Sequence, residues 1–210
     1  MLKNIQSYRY QKEIDLLQQL STSSVNSIDW SALIKELRCS QETKGLTETW
    51  YLVMKNNNDA FVNSSNDGLE VIEDENDGMD ISWLFIKMFD ISVSKEEQKL
   101  FHPSIIQHTE KLTDIIKSIE GVIHVGFHFI LPNSRIPPHT DYEESKWYHI
   151  LITPDISIEG VTMTLSDTTF DLNRNQVVVF DAAKPHSIEN KSDNSFVCLV
   201  LMVESEYFDV

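Results

Sequence analysis

The chain has 210 residues, of which 41% are apolar, enough for one sizeable domain with a real core. Its formal charge of −16, with a pI near 4.7, excludes the basic face that nucleic-acid phosphates require. Only Cys39 and Cys198 are present, so no disulfide framework is expected and a reducing compartment is the default. The first ten residues lack the apolar stretch of a signal peptide, and no later run is long enough to span a bilayer. A cytoplasmic protein without membrane partners is therefore expected.

In chain order, Ile14, Leu17 and Leu20 recur at helical spacing, with Leu16 widening the stripe, and Ser21-Thr-Ser-Ser24 is predicted to break that helix. A second helix is expected over 29–37, with Asp29 as its N-cap. Glu48 to Lys55 is rich in aromatic and β-branched residues and reads as a strand. From Asn63 to Asp80 the sequence is polar and acidic. As a calcium loop starting at Glu73 it would place Leu84 where a bidentate Glu is needed, so a solvated loop is preferred. Ile81 to Phe89 is apolar nearly all round and is predicted to be buried. Ser94-Lys-Glu-Glu97 has capping-box spacing. After Pro103, the residues Ile105, Leu112, Ile115, Ile116 and Ile119 define a helix that Gly121 can close.

Beyond Gly121 the period changes to two. Val125, Phe127, Phe129 and Leu131 fall on one face, and His124, Gly126 and His128 on the other. Further strands are expected at 147–153, 161–165, 177–181 and 196–203, a spacing that suits a barrel or sandwich. The chain is thus read as α+β: a mostly helical part over 1–120 packed on a β-rich catalytic part over 121–210.

Arg135-Ile-Pro-Pro-His139-Thr-Asp141 carries the chemistry. With Thr140 extended, His139 and Asp141 would share a strand face and grip one ion together. His186, 45 residues beyond Asp141, follows the apolar run Val177 to Phe180 and is the candidate third ligand. Two histidines and one carboxylate on three corners of an octahedron leave positions open for a cosubstrate and O₂, as in non-haem Fe(II) oxygenases. The same trio also suits Zn²⁺. The bland alternative is a hydrogen-bonded histidine at a strand end.

From about Phe101 to Val203 the chain resembles the aspartyl/asparaginyl β-hydroxylase family of Fe(II)/2-oxoglutarate-dependent oxygenases. The likeness is carried by Gly121 to His139, by His149-Ile-Leu-Ile-Thr-Pro154 and by Phe180-Asp-Ala-Ala-Lys-Pro-His186. It implies a double-stranded β-helix (jelly-roll, cupin-like) core and hydroxylation of an amino acid or peptidyl side chain. It makes His139 and His186 metal ligands beside Asp141, and His149 a cosubstrate-binding histidine. It also implies arginines where this chain has Val197 and Trp147, and a serine where it has His128. Neither Val nor Trp can reproduce a bidentate arginine–carboxylate contact, a loss of on the order of 1.5–3 kcal/mol. His128, His149 and Lys146 are the candidate substitutes, while Arg135, Arg174 and Lys191 have no assigned role. Asp181 is either an acceptor orienting His186 or a turn residue. A 2-oxoglutarate-independent iron oxygenase or oxidase, and a non-catalytic cupin-like binding protein, remain the alternative readings.

Overall fold

The computed structural model describes residues 11–30, 50–54, 60–65, 68–73, 82–90, 103–141 and 143–207. Among the described residues, two α-helices, α1 (Gln11–Ser27) and α2 (Pro103–Ile116), accompany twelve strands. In the first half these are β1 (Trp50–Met54), β2 (Ala60–Ser65), β3 (Gly68–Glu73), β4 (Ser82–Asp90), β5 (Val122–Ile130) and β6 (Ser134–His139). Then come β7 (Trp147–Ile152), β8 (Val161–Leu165), β9 (Thr168–Asp171), β10 (Val177–Asp181), β11 (His186–Asn190) and β12 (Phe196–Glu204).

An eight-stranded sheet runs β10-β7-β12-β5-β4-β1-β2-β3, and a four-stranded sheet runs β6-β11-β8-β9. Every pairing is antiparallel. From β5 onward the strands alternate between the two sheets in chain order except at the β8–β9 hairpin, which stays within the smaller sheet, and this winds the chain into a double-stranded β-helix. The fold is the jelly roll that the sequence resemblance implies, with β1 to β4 extending its larger sheet.

Two apolar layers follow from the strand period of two. On the outer face of the larger sheet, Phe127, Phe129, Ile150, Ile152, Val197, Leu199 and Leu201 pack against Ile14 and Leu17 of α1 and Leu112 and Ile116 of α2. On the lumen face, Ile130, Leu151, Val178, Phe180, Phe196, Cys198 and Val200 meet Ile136, Val161, Met163 and Ile188 of the smaller sheet. Because β12 is covered on both faces, its sequence is an unbroken apolar run instead of an alternating one.

Several expectations change. The serine-rich stretch does not end α1, which continues to Ser27. Ser21 and Thr22 donate to the Gln18 carbonyl and Ser27 to that of Ser23, so these hydroxyls are satisfied inside the helix. Ser24 instead bridges to the His108 carbonyl of α2 at 2.8 Å. Leu16 lies off the buried stripe, 46% exposed. Within the expected acidic loop, 63–73 is largely strand: β2 and β3 pair with Val62 opposite Val71. The alternation Leu69-Glu70-Val71 beneath the acidic composition was the signal for it. The turn at 94–97, and residues 31–37 of the second predicted helix, lie outside the described residues. α2 ends at Ile116, so Gly121 does not close it; with φ of +78° it makes the turn into β5, and the Tyr207 ring occupies the space a Cβ would need.

Candidate metal centre

Local chemistry aims His139 inward. Along β6, Ile136 faces the lumen, so strict alternation would turn His139 outward. The β6–β11 register, with Ile188 opposite Ile136 but His186 opposite His139, sets Pro137 and Pro138 against the single residue Ser187. This bulge inserts one residue and returns His139 to the lumen. β6 is an edge strand, where prolines cost no ladder hydrogen bond to a further neighbour.

The two histidines are held alike. His139 Nδ1 lies 2.7 Å from the Pro137 carbonyl, and His186 Nδ1 lies 2.9 Å from the Lys184 carbonyl. A carbonyl only accepts, so each Nδ1 carries the hydrogen and each Nε2 presents a lone pair. In both cases the acceptor stands two residues before the histidine and a proline intervenes. Proline fixes its own φ and holds the preceding residue extended, so the Pro-His step sets the carbonyl in reach.

Asp141 does not lie on the strand. β6 ends at His139, and Asp141 sits in the loop beyond, where its N–H donates to the Ala182 carbonyl at 3.0 Å. The β10–β11 turn thus fixes the carboxylate from across the barrel mouth. Its Oδ1 is 3.4 Å from His139 Nε2, and its Oδ2 is 3.4 Å from both His186 Nε2 and His149 Nε2. One ligand atom from each of His139, Asp141 and His186 lies within 4.8 Å of the others. Donors about 2.1 Å from an ion and at right angles would be about 3.0 Å apart, so the trio fits a metal with small closure. The donor set, two imidazoles with their far nitrogens fixed and one carboxylate, suits Fe(II) and also accommodates Zn²⁺.

Electrostatics support that charge pattern. Burial opposes ionisation of Asp141, but hydrogen bonds from His139 and His186, made when Nε2 as well as Nδ1 carries a hydrogen, hold its carboxyl well below the usual carboxylate range. Burial also opposes the charged form of His139, and Asp141 outweighs it, raising the imidazole above 6.5.

His149 approaches from the larger sheet, edge-on to Phe180 at 5.2 Å and to His186 at 5.9 Å between ring centroids. It is largely buried, and burial pushes it down to about 4. His128, on the lumen face of β5 opposite Cys198, has its Nδ1 sealed from solvent. Burial, then the neighbouring His149, pushes it down to about 3, and it senses all three members of the trio. Trp147 begins β7 on the same face as His149, and the exposed Lys146 sets its ammonium 5.0 Å from the centroid of that ring.

Other sequence candidates are not brought here. Arg135 lies on the opposite side of β6 from Ile136, in register with Glu189. Arg174 pairs with Asp155, and Lys191 with Glu189. Val197, where the resemblance puts an arginine, packs on the helix side; the lumen residues of β12 include Phe196, Cys198 and Val200. Asp181 is the last residue of β10 and braces the turn after it, accepting from Ser145 Oγ and the Ala183 N–H, and His186 is oriented by Lys184 instead. Sequence reasoning missed Phe180 as a wall of the site, 4.8 Å from His186 between ring centroids, and Ala182 as the clamp on Asp141.

A family model described as Aspartyl/Asparaginyl beta-hydroxylase matches residues 47–206. No curated protein matches the chain. Among solved structures, the cupin domain of Schizosaccharomyces pombe Cnp3 is 11% identical, over 74% of this chain and 85% of its own, with a TM-score of 0.39. A predicted oxalate decarboxylase from Thermotoga maritima is 12% identical, over 60% and 81%, with a TM-score of 0.35. The cupin domain of an XRE-family transcriptional regulator from Enterobacter cloacae is 18% identical, over 38% and 79%, with a TM-score of 0.33.

Proposed function

The chain belongs to the aspartyl/asparaginyl β-hydroxylase family, and on that footing we propose that it is a non-haem Fe(II) oxygenase that hydroxylates a C–H bond of an amino acid or peptide side chain. The observation that carries this reading is the convergence of His139, Asp141 and His186 within 4.8 Å, with both histidines pinned through Nδ1. Iron held there would supply the O₂ activation that no side chain can.

The two electrons that hydroxylation needs would come from a 2-oxo acid cosubstrate, 2-oxoglutarate being the one the family implies. One oxygen atom of O₂ enters the substrate C–H bond. The other enters the carboxylate left when the oxo acid loses CO₂. The chain's own part is to hold, orient and shield. Asp141 stays ionised and offsets metal charge. The carbonyls of Pro137 and Lys184 fix ring orientation. Phe180 and the apolar lumen beneath it keep bulk water from the reacting end of the site.

Anaerobic loading with Fe(II), followed by O₂ in the presence of a 2-oxo acid and a pool of amino acids and peptides, tests the reading. Oxo-acid decarboxylation that depends on iron and is lost in His186→Ala supports it. Iron-independent turnover, or none with any 2-oxo acid, overturns it.

A further inference from the structure

Three imidazoles crowd one carboxylate. Asp141 Oδ1 lies 3.4 Å from His139 Nε2, and Asp141 Oδ2 lies 3.4 Å from both His186 Nε2 and His149 Nε2. His139 and His186 belong to the metal-holding trio, whereas His149 stands outside it. That difference decides which contact outlasts the arrival of an ion. His139 and His186 carry their Nδ1 hydrogens towards the Pro137 and Lys184 carbonyls, so once their Nε2 lone pairs face an ion neither ring has a hydrogen left for Asp141. Of the three contacts, the one to His149 is the one that metal binding does not displace.

His149 is placed to hold. It lies within β7, where β10 and β12 pair on either side and set Phe180 and Met202 opposite it. Its ring is largely buried and is braced edge-on by Phe180. Asp141 instead sits in a loop, and the Ala182 carbonyl fixes that loop through the main-chain N–H, a bond that leaves the side-chain rotamer unset. A group on a paired strand fixes a site more closely than one on a loop, so the sheet histidine can orient the loop carboxylate. An ionised carboxylate only accepts, so the His149 nitrogen beside it is the one that carries the hydrogen.

Resting on the metal site of the oxygenase reading above, we propose that His149 is a positioning residue for the metal, its Nε2–H donating to Asp141 Oδ2 and so keeping the carboxylate to ligation through one oxygen. A carboxylate can meet an ion through one oxygen or through both, and the second mode fills a further coordination position. Held by His149, Asp141 fills one position and leaves free those that a cosubstrate and O₂ require. The sequence resemblance gives this histidine to the cosubstrate. A contact with Asp141 makes it act on metal affinity before any cosubstrate is present.

The test reads metal affinity with no oxo acid present. Fe(II) is titrated anaerobically by calorimetry into the wild-type chain, His149→Met and His149→Gln, two variants of equal side-chain length of which only the second has an N–H to donate. His149→Met is expected to bind iron about 10–100-fold more weakly than wild type, and His149→Gln to recover to within about fivefold. A second measurement uses the wild-type protein and depends on neither variant folding. The infrared difference spectrum on adding Fe(II) is expected to show a wider gap between the two carboxylate stretches of Asp141, as ligation through one oxygen produces, with the bands assigned by their loss in Asp141→Asn. Wild-type affinity in His149→Met, a glutamine variant as weak as the methionine one, or a narrowed infrared gap overturns the inference and spares the metal site. Iron binding as expected without oxo-acid decarboxylation overturns the oxygenase reading alone. Failure of the wild-type chain to bind Fe(II) removes the site and both readings with it.

Discussion

His139 and His186 face each other across the β6–β11 ladder, ring centroids 4.3 Å apart, each tied through Nδ1 to the carbonyl two residues before it. Neighbouring strands of one small sheet therefore deliver both imidazoles as a pre-aimed pair, and Asp141 closes the trio from a loop. Pre-aiming matters because little rotamer entropy then remains to be lost when an ion enters.

The bulge at Pro137-Pro138 makes a sharp prediction. Deleting Pro138 leaves His139 two residues after Ile136, so plain alternation should keep it on the lumen face opposite His186, with metal binding weakened about 10–100-fold by loss of the Pro137 carbonyl tie but not abolished. Ile136 and Ile188 keep their places in the core, so far-UV circular dichroism and a cooperative melt should persist. Abolished metal affinity in the deletion variant would show that the two-residue bulge is itself needed to aim the ligand.

Gly121 should resist substitution. Its φ of +78° is strained for any side chain, and a Cβ would meet the Tyr207 ring. Gly121→Ala is expected to cost about 1–3 kcal/mol of unfolding free energy. Adding Tyr207→Ala should recover the steric part only. Urea denaturation of both variants checks this, and an unchanged midpoint for the single variant contradicts it.

The metal-free protein should lose stability as pH falls from 6.5 towards 4. His128 and His149 have depressed values in the fold, about 3 and about 4, so in that window the unfolded chain binds more protons and acid favours it. Each histidine contributes a slope of at most about 1.4 kcal/mol per pH unit there. His139 is raised, so its contribution has the opposite sign: present below 6.5 and lost as pH rises through its folded value. Asp141 adds stability above 3.8 that goes only in strong acid. Urea midpoints between pH 7 and pH 4 measure the sum, and His149→Asn should flatten it. A flat profile in the wild-type protein would contradict the buried placement of both rings.

Much of the barrel was legible because its strands write their faces plainly. Phe127 and Phe129 alternate with Gly126 and His128, and those two sets went to the helix side and the lumen as the period of two requires. The trio was legible as residues, since Pro-His recurs at both histidines with an aspartate close by. Its geometry was not. Asp141 was read as continuing a strand, whereas its position depends on a hydrogen bond to Ala182, forty-one residues away, which no local pattern announces. The short strands β9 and β11 were missed for a related reason. Thr168-Thr-Phe-Asp171 and His186-Ser-Ile-Glu-Asn190 are too brief and too polar to show a period, and their partners across the small sheet define them. Val197 shows the converse error. On a strand apolar on both faces no period of two marks which side a residue takes, and Val197 lies on the helix side, away from the lumen.

Oriented ligands should bind more tightly than loose ones. Because the acceptors of Nδ1 are main-chain carbonyls, they can be disturbed only through the backbone. Replacing Pro185 with Gly frees the Lys184–His186 step. A loss of about 10–100-fold in metal affinity is expected, the usual scale for removing a ligand's outer partner. Calorimetric titration of Pro185→Gly against wild type measures it, and equal affinities would show that the ring is held by packing against Phe180 alone.

The central claim, that His139, Asp141 and His186 together hold Fe(II) with positions left open, is tested most directly by anaerobic titration with iron followed by nitric oxide. One ion per chain and a high-spin iron–nitrosyl signal in electron paramagnetic resonance are predicted, with affinity falling by about 100-fold or more in His139→Ala and in His186→Ala. Iron binding that both substitutions leave intact, or an iron site that takes up no nitric oxide, would contradict it.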